Sequence, residues 1–347
     1  MINFFGTTEA HLNELFTSWG EKPYRVHQVF NWVYNYRVRD FDAMTNLSKA
    51  LRSKLKETFH FGLPRVVETS PSYDGSVKYL LQLDDGARVE AVWMPAGPRK
   101  TLCISTQAGC RMACSFCQTA TLGLQRNLST AEILGQYLAV LDDQEEGITN
   151  IVVMGMGEPL DNYGPVVDAL RLMVSPQALR LSTRRVTLST SGLVDKIDRL
   201  AGEGLHVNLA ISLNATDNTV RDRIMPINRK YPIETLLDSL KNFPLKANRR
   251  LTFEYVLLEG INDTDSDALR LARLLRGLAC KVNLIPFNAF GTSVYRPPGE
   301  DRILAFQNIL ISRNYSVFIR KNRGSDILGA CGQLAAQTTA SPLQYFN

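Results

Sequence analysis

The segment TLCISTQAGCRMACSFC, residues 101–117, decides how the rest of this chain is interpreted. It opens with a short β-rich run, TLCIST, and continues into a loop with the cysteine spacing Cys-x3-Cys-x2-Cys. The cysteines of this motif are Cys110, Cys114 and Cys117. Thiolates gathered in one short loop can converge on a single metal centre, so the segment predicts a metal site directly after a strand.

From residue 101 onward, β-rich runs alternate with amphipathic helical stretches. The runs are TLCIST, NIVVMG, RVTLST, VNLAIS, LTFEYVLL and KVNLIPF, and the helical stretches include STAEILGQYLAVL and DALRLARLLRGL. Strand and helix units in series predict an α/β protein with a parallel sheet rolled into a full or partial barrel. In such barrels the functional residues lie at the carboxyl ends of the strands and in the loops that follow.

The residues before the barrel divide into two parts. Residues 1–65 carry apolar residues at helical spacing, which predicts a small helical accessory domain. Residues 66–98 contain KYLLQL and RVEAVWM on either side of Asp84-Asp85-Gly86, which predicts a β-hairpin. We therefore expect an accessory domain (1–65), a β-hairpin extension (66–98), a barrel with a carboxyl-terminal loop (99–335) and a tail (336–347).

Composition limits the class of protein. The 347 residues suit a barrel-sized domain with an accessory piece. No stretch approaches the ~18 consecutive apolar residues of a membrane span, and the first residues lack a signal-peptide pattern, so we expect a cytoplasmic protein without a membrane partner. Six cysteines in such a chain favour metal or redox chemistry over a disulfide framework. A net charge of +5 is compatible with a nucleic-acid partner without establishing one.

The cysteine spacing favours an iron–sulfur cubane. A 4Fe–4S cluster held by three cysteines has one iron without a protein ligand. That iron can chelate the amino and carboxylate groups of S-adenosylmethionine, and an electron from the cluster can then break the C–S bond to leave a 5′-deoxyadenosyl radical. The alternative is a zinc site with Cys103 as fourth ligand. Zinc sites usually pair two knuckles, whereas none of the four histidines lies near this motif.

Candidate cofactor residues follow several of the predicted strands. Gly157 and Glu158 lie in GMGEP after NIVVM, and Glu158 can accept a hydrogen bond from the ammonium group of the methionine moiety. The other candidates are Ser189, Ser212, Leu213, Asn214 and Asn288. Each alone is ordinary loop chemistry, but their coincidence at strand ends predicts one binding site.

Cys103 and Glu90 have less definite interpretations. By strand alternation Cys103 faces opposite Leu102 and Ile104, and it points into the barrel if those two pack on the helices. A small buried core residue is the alternative, because free cysteine is commonly buried. Glu90, in RVEAVWMP, indicates a surface carboxylate when only the sequence is considered.

The two remaining cysteines differ in their surroundings. Cys331 lies near the end of the chain in a basic segment with Gly324, Gly329 and Gly332, which favours a mobile loop and a nucleophilic cysteine. Cys280 lies at the start of a predicted strand, and we interpret it as structural.

These motifs resemble the radical S-adenosylmethionine superfamily and, within it, the dual-specificity RNA methyltransferases that methylate adenine at C2. The likeness is carried by the cysteine motif, GMGEPL, VTLSTSG, LIPFN and ACGQLA, and it runs from about Tyr24 to Leu334. The resemblance implies a partial (β/α)6 radical SAM barrel. It also implies 23S rRNA and tRNA as partners, at an adenosine of the peptidyl-transferase centre and at the adenosine just 3′ of certain anticodons.

The resemblance also implies a role for each unusual residue. Cys331 would receive a methyl group from a first S-adenosylmethionine, and a second, cleaved at the cluster, would convert it to a methylene radical that adds to the electron-poor C2. Glu90 would remove the C2 proton as general base. Cys103 would then attack Cys331, releasing methylated RNA and leaving a transient disulfide. Cofactor contacts would fall on Gly157, Glu158, Ser189, Ser212, Leu213, Asn214 and Asn288.

Further partners and one departure follow from the same resemblance. A flavodoxin or ferredoxin-type electron donor and a thiol reductant are expected, and we expect a monomer. Position 214 is Asn where the family often has His, which is tolerable if the contact there runs through the backbone. RNA binding is expected at the amino-terminal helices and at Arg320, Lys321 and Arg323, with salt-sensitive affinity.

Three alternatives stay open. The sister family that methylates adenine at C8 and confers antibiotic resistance shares the cysteines and the base, although Pro159 favours the C2 family. A zinc-stabilised RNA-binding protein without enzymatic activity would be colourless and free of iron. A radical enzyme acting on a small molecule would leave Cys331 and Cys103 without a role.

Overall fold

The amino-terminal part of the molecule is helical, as its apolar spacing predicts. Its elements are β1 (Ile2–Asn3), α1 (Glu9–Ser18), α2 (Tyr24–Phe30), α3 (Lys49–Thr58) and β2 (Phe59–His60), with 3-10 turns at Phe4–Gly6 and Phe41–Ala43 and a π-helical turn at Asn31–Asn35. Thr8 and Ser48 cap α1 and α3 by accepting main-chain hydrogen bonds. The ring of Phe4 contacts those of Phe30 and Phe59, which gives this part a buried aromatic centre.

The structure is a computed structural model that describes residues 1–291 and 293–336. The elements that follow the helical part form the barrel and its extension. The strands are β3 (Arg65–Pro71), β4 (Val77–Gln82), β5 (Arg88–Ala96), β6 (Arg99–Ile104), β7 (Gln107–Gly109), β8 (Leu124–Asn127), β9 (Asn150–Val153), β10 (Val186–Thr190), β11 (Asn208–Ser212), β12 (Leu251–Leu257), β13 (Cys280–Pro286) and β14 (Val317–Ile319). The helices are α4 (Gln118–Thr121), α5 (Thr130–Asp143), α6 (Tyr163–Val174), α7 (Val194–Ala201), α8 (Asn218–Ile224), α9 (Ile233–Lys241), α10 (Asp265–Leu274) and α11 (Glu300–Ile311). Short 3-10 turns lie at Pro159–Asn162, Thr183–Arg185, Pro226–Arg229 and Ser325–Ile327.

One sheet of ten strands runs through most of the chain. Its order is β14-β13-β12-β11-β10-β9-β6-β5-β4-β3, and every pair from β6 to β14 is parallel. Within the described residues β14 and β3 are the edges of this sheet, so the barrel is partial. The prediction of a partial α/β barrel is therefore confirmed, whereas the short strand β14 was not predicted.

The expected hairpin extension is better described as part of the barrel sheet. β4 and β5 form the predicted hairpin, and its turn residue Gly86 has the positive φ of 87° that such turns require. β5 also pairs with β6 on its other side, with Val92 opposite Cys103. Both edges of β5 thereby satisfy their hydrogen bonds, and the segment that carries Glu90 becomes continuous with the barrel.

One face of the sheet, called the inner face here, collects polar side chains. Residues that are partners in register share a face, so Cys103, Val152 and Thr187 point to the same side. The same relation continues from Ser189 through the next strands to Ser212 and Glu254. The inner face is the side of the sheet on which these residues lie, and the site is built on it.

The opposite face packs under the helices. Leu102 and Ile104, the neighbours of Cys103 in β6, are fully buried there, as strand alternation predicts. Among the described helices, none has the length and apolar character that a membrane crossing requires.

Candidate active site

The cysteine motif forms a folded loop between β7 and α4. The Cys110 main-chain N donates to Gly123 O at 2.8 Å, and the Cys117 N donates to Cys114 O at 3.2 Å. Burial raises the pKa of all three thiols, and the neighbouring thiolates add to this effect at Cys114. Thiols that raise one another's pKa lie close together, and positively charged metal is the usual compensation for such a group.

The three thiols match the ligand number of a 4Fe–4S cluster that leaves one iron without a protein ligand. Within the described residues, no group of three His, Cys, Asp or Glu side chains is placed to hold a single metal ion.

The loop after β9 is shaped by Gly157 and Glu158. Gly157 has a φ of 99°, and a Cβ there would lie 2.5 Å from Gln107 Cβ, so only glycine fits. The buried Glu158 carboxylate accepts from Leu160 N at 3.0 Å and Ser191 N at 2.7 Å. Burial raises the pKa of this carboxyl, and these hydrogen bonds act in the opposite direction. Glu158 therefore joins the ends of β9 and β10, and its contact with a cofactor ammonium stays a prediction.

The candidates on β10 and β11 lie at adjoining strand ends. Ser189 and Ser212 lie on the inner face near the carboxyl ends of their strands, and Leu213 is fully buried just beyond. Asn214 has a φ of 58°, in the left-handed region, and its Oδ1 accepts from Val256 N at 2.8 Å. Asn and His both tolerate this conformation better than most residues. The Asn at this position is therefore compatible with the backbone of a family that often has His there.

The sequence analysis missed Arg221. This side chain is fully buried and donates to Leu213 O at 3.0 Å, Ser191 O at 2.7 Å and Ser212 O at 3.2 Å. Burial lowers its pKa to about 10, while nearby Cys114 acts in the opposite direction. Arg221 thus ties the ends of β10 and β11 beside the cysteine loop. No sequence pattern separates it from the exposed Arg223 two residues later.

The segment Ala330–Ala335, called the carrier segment here, holds Cys331 against the cysteine loop. Asn288 Nδ2 donates to Cys331 O at 3.0 Å, Gln118 N donates to Gly332 O at 2.7 Å, and Thr119 Oγ1 donates to Leu334 O at 2.6 Å. The segment is irregular, as expected. However, it is anchored to α4 and to the loop after β13 rather than free of contacts, as the prediction of a mobile loop had suggested.

Two unpaired polar atoms beside this segment are available to a ligand. Asn288 Oδ1 and Gln118 Oε1 are buried and have no hydrogen-bond partner among the described residues. Buried polar atoms usually have partners. Acceptors left open next to the cysteine loop suit a cofactor such as S-adenosylmethionine, whose ammonium group is a donor.

The thiols of Cys331 and Cys103 lie in the same region. The Cys331 side chain keeps contact with solvent, yet the surrounding protein desolvates the thiol and raises its pKa to about 12, with Glu254 adding to this effect. Burial raises the pKa of Cys103 to about 12, and Cys331 raises it further. Arg320 lowers both values. Neither cysteine forms a disulfide in the structure.

Glu90 is buried, so the interpretation of a surface carboxylate is wrong. Only 2% of Glu90 is exposed, and its Oε1 lies 3.1 Å from Nζ of the buried Lys78. Its Oε2 accepts from Ala335 N at 2.8 Å, in the carrier segment. Glu90 lies two residues from Val92, the partner of Cys103, and therefore on the inner face. Burial could not be foreseen, because the covering segment is 245 residues away.

A cavity opens beside the carrier segment. Its volume is about 290 Å³, near the lower limit of small-ligand pockets. Its lining comprises Gly86, Ala87, Arg88, Gly109, Leu122, Gln125, Met156, Ala335 and Ala336. The β4–β5 turn, the end of β7 and the carrier segment thus share one opening to solvent.

The basic residues expected to bind RNA are distributed over the surface. Lys56 of α3 forms an ion pair with Asp42 at 2.7 Å, and Arg323 lies 3.8 Å from Asp74. Lys321 is exposed. Arg320 lies close enough to Cys103 and Cys331 to influence both thiols.

Comparison with known proteins shows to which family the chain belongs. The family "Ribosomal RNA large subunit methyltransferase N-terminal domain" matches residues 2–60, and "Radical SAM superfamily" matches residues 104–272. A dual-specificity RNA methyltransferase RlmN from Desulfosudis oleivorans is 48% identical over 332 residues, which covers 95% of this chain and 89% of the relative. The chain belongs to the RlmN family.

Other similar proteins extend the match. The dual-specificity RNA methyltransferase RlmN of Geobacter sulfurreducens is 48% identical over 340 residues, covering 98% of this chain and 94% of the relative. The crystal structure of a radical SAM methyltransferase from Sphaerobacter thermophilus has a TM-score of 0.89 at 41% identity, covering 97% of this chain and all of that chain. The resemblance predicted from the sequence is confirmed, and membership in this family implies S-adenosylmethionine and a 4Fe–4S cluster as cofactors.

Proposed function

We propose that this chain is a radical S-adenosylmethionine methyltransferase that methylates C2 of adenine in 23S rRNA and tRNA, with Cys331 as methyl carrier. The position of Cys331 is the observation that carries the proposal. Its segment contacts the helix after the cysteine motif, the candidate cofactor residue Asn288 and the buried carboxylate of Glu90. A small-molecule radical enzyme would have no use for this arrangement.

The proposed cofactor site uses the residues at the carboxyl ends of the strands. Cys110, Cys114 and Cys117 would hold one 4Fe–4S cluster and leave one iron for S-adenosylmethionine. When bound, the cluster supplies the electron that cleaves this cofactor. The proposed contacts to S-adenosylmethionine are Gly157, Glu158, Ser189, Ser212, Leu213, Asn214 and Asn288. We expect a flavodoxin or ferredoxin-type protein to deliver the electron and the reaction to occur in the cytoplasm.

Cys331 accepts the first methyl group at Sγ. Asn288 Nδ2 donates to the carbonyl oxygen of Cys331, which fixes the backbone that carries the thiol. Because desolvation keeps the thiol protonated at neutral pH, its methylation releases a proton. Each turnover consumes two S-adenosylmethionine molecules, one for this methyl group and one for the radical.

Glu90 accepts the C2 proton from the RNA–protein adduct, and the unpaired electron of the adduct would return to the cluster, which leaves a closed-shell thioether. An ionised carboxylate is the form that can act as a base, and Lys78 Nζ lies 3.1 Å from Oε1 of Glu90. Oε2 of Glu90 is hydrogen-bonded to Ala335 N. This oxygen can reach the adenine only after its hydrogen bond to Ala335 N breaks.

Cys103 resolves the adduct by attacking Sγ of Cys331. The new bond is the disulfide, the broken bond joins Sγ to the former methyl carbon, and that carbon keeps the electron pair and takes a proton to become the methyl group. A thiol reductant then restores the two cysteines. The attack requires a thiolate, although burial raises the pKa of Cys103.

The Cys103→Ala variant tests this function. We expect a covalent protein–RNA adduct that denaturing electrophoresis detects, because no thiol remains to release the product. Cys280→Ala is the matched control, since Cys280 is also buried and free but lies at the start of β13 on the face opposite the inner face. Free RNA and free protein in the Cys103→Ala reaction would contradict the proposed mechanism.

Two measurements on the wild-type protein separate the alternatives. Mass spectrometry of the digested RNA product distinguishes 2-methyladenosine from 8-methyladenosine, the product of the sister family. Iron and sulfide analysis of anaerobically purified protein distinguishes a cluster from zinc. Colourless protein that contains zinc and no iron would overturn the proposal.

A further inference from the structure

Four cationic side chains lie along the inner face, three of them at the amino ends of their strands and Arg320 at the carboxyl end of β14. Arg99 begins β6, Arg250 directly precedes β12, and Lys281 is the second residue of β13. Arg320 directly follows β14. Alternation along the strands places Arg99 on the side of Cys103, and Lys281 on the side of Asn283 and Glu254. We call Arg99, Arg250, Lys281 and Arg320 the four-cation cluster.

The charges of this cluster are not balanced. None of its members forms an ion pair within 4.0 Å among the described residues, although many other basic residues of the chain do. The carboxylate that influences the cluster is Glu254, which is 5% exposed and already accepts from Asn283 Nδ2 at 2.9 Å. Its Oε2 has no hydrogen-bond partner in the described part of the chain. One carboxylate cannot neutralise four cations.

The members repel one another. Partial burial lowers the pKa of Lys281, Glu254 acts in the opposite direction, and Arg250, Arg320 and Arg99 lower it further. Arg99 is exposed, and its pKa is also lowered, by desolvation from the nearby protein and by Arg320. These residues come from four separate parts of the chain, so the fold itself brings like charges together. Arg99, Arg250 and Arg320 are exposed, so water and salt screen their repulsion, and such a group of like charges attracts anions from solution.

The cluster lies beside the opening of the barrel and near the reacting cysteines. β6 and β14 do not pair with each other, yet Arg99 and Arg320 interact across the gap between them. Arg320 also influences Cys103 and Cys331. An anion bound at Arg320 would therefore be near Cys103 and Cys331. An RNA base cannot enter without its neighbouring phosphates.

We propose that the four-cation cluster binds phosphodiester groups of the RNA strand next to the target adenosine. This inference rests on the proposed function and adds a binding site to it. Arginine and lysine are the usual ligands of nucleic-acid phosphates, and such contacts position the strand without reading its sequence. An acidic electron-donor protein is a different partner for the same charges, and the experiment below includes it as an outcome.

The test measures RNA affinity of cluster-loaded, full-length protein at several salt concentrations. The probe is a fluorescently labelled anticodon stem-loop RNA with adenosine directly 3′ of the anticodon. The variants are Lys281→Gln and Arg99→Gln, and the control is Lys241→Gln, whose charge is already balanced by Asp238 at 2.7 Å on α9. We expect each cluster variant to weaken binding about threefold to tenfold and to reduce the slope of log affinity against log salt by about 0.7–0.9.

A second measurement separates phosphate binding from a structural role. Without RNA, the melting temperature of both cluster variants should stay equal to wild type or rise, because a repulsive charge has been removed. A fall in melting temperature together with the fall in affinity would assign these residues to stability and overturn the inference.

The remaining outcomes are also decisive. Cluster variants with the wild-type salt slope would overturn the inference and leave the proposed function intact. The variants could keep the wild-type salt slope while flavodoxin reduces their iron–sulfur cluster more slowly and dithionite reduces it at the normal rate. That result would assign the four-cation cluster to binding of the electron donor instead. If wild-type protein neither bound nor methylated any RNA, the proposed function would fail and this inference with it.

Discussion

The cysteine loop and the carrier segment both bring cysteines to the site, but they are held in place by different means. In the loop, Cys110 bonds to Gly123 and Cys117 bonds to Cys114, all within a short stretch of chain. The carrier segment depends on distant partners: Asn288 is 43 residues from Cys331, and Thr119 is 215 residues from Leu334. The loop is held by hydrogen bonds between residues that are close in sequence, so it can be recognised as a sequence motif. The carrier segment acquires its position only through tertiary contacts.

The largest effects are expected from removing one cysteine of each segment, because the two cysteines serve different reactions. Cys117→Ala should abolish both S-adenosylmethionine cleavage and RNA methylation, because the cluster loses one of three thiolates. Cys331→Ala should abolish methylation while the protein keeps its iron and still cleaves the cofactor. Iron analysis and chromatography of cofactor fragments measure the two outcomes. Loss of iron in Cys331→Ala would mean that the carrier segment helps to hold the cluster.

The next effect concerns the buried ion pair that contacts the carrier segment. Lys78→Met leaves the Glu90 carboxylate buried with one partner, and we expect a loss of about 3–5 kcal/mol in the free energy of unfolding. Denaturant titration measures it. Lys56→Met is the control, because its ion pair with Asp42 is half-exposed and should contribute at most about 1 kcal/mol. Equal losses in both variants would show that the buried Lys78–Glu90 pair contributes no more to stability than an exposed pair.

A third effect tests the pH dependence of the resolving step. Because the pKa of Cys103 is raised to about 12, the thiolate is the minor form at neutral pH. Its fraction rises tenfold for each unit of pH below that pKa. We therefore expect the decay of the protein–RNA adduct to become about a hundredfold faster from pH 7 to pH 9, measured by quenched-flow electrophoresis. A flat profile would mean that an internal base removes the Cys103 proton.

The smallest effect tests the anchoring of the carrier segment itself. Thr119→Val removes the hydrogen bond to Leu334 O, which contributes about 0.5–1.5 kcal/mol. Hydrogen exchange at residues 333–335 should become several-fold faster, while exchange within the cysteine loop stays at the wild-type rate. Faster exchange in both regions would show that the two segments open together.

Several features were predictable because they depend on local order. Alternating strand and helix patterns indicated the partial barrel, and the cysteine spacing indicated the cluster loop. Strand alternation correctly separated Cys103 from Leu102 and Ile104. Each of these signals arises within one turn, one strand or one loop, where neighbours in sequence are neighbours in space.

Other features were beyond the reach of sequence patterns. The burial of Glu90 depends on Lys78 from the next strand and on Ala335 from the far end of the chain. Arg221 has an ordinary helical context and becomes a buried link between strand ends only when β10 and β11 lie side by side. β14 is a short edge strand without a periodic pattern of useful length.

The sequence by itself determined that this chain has a three-cysteine loop at the end of a barrel strand, and hence the class of its chemistry. Only the tertiary structure decided which groups surround that loop. It places Cys331 beside the loop, pairs the buried Glu90 with Lys78, and brings four cations to the inner face. The physical reason is separation. Ligand spacing is set by a few consecutive residues, whereas burial and charge balance depend on which distant strands the fold makes neighbours.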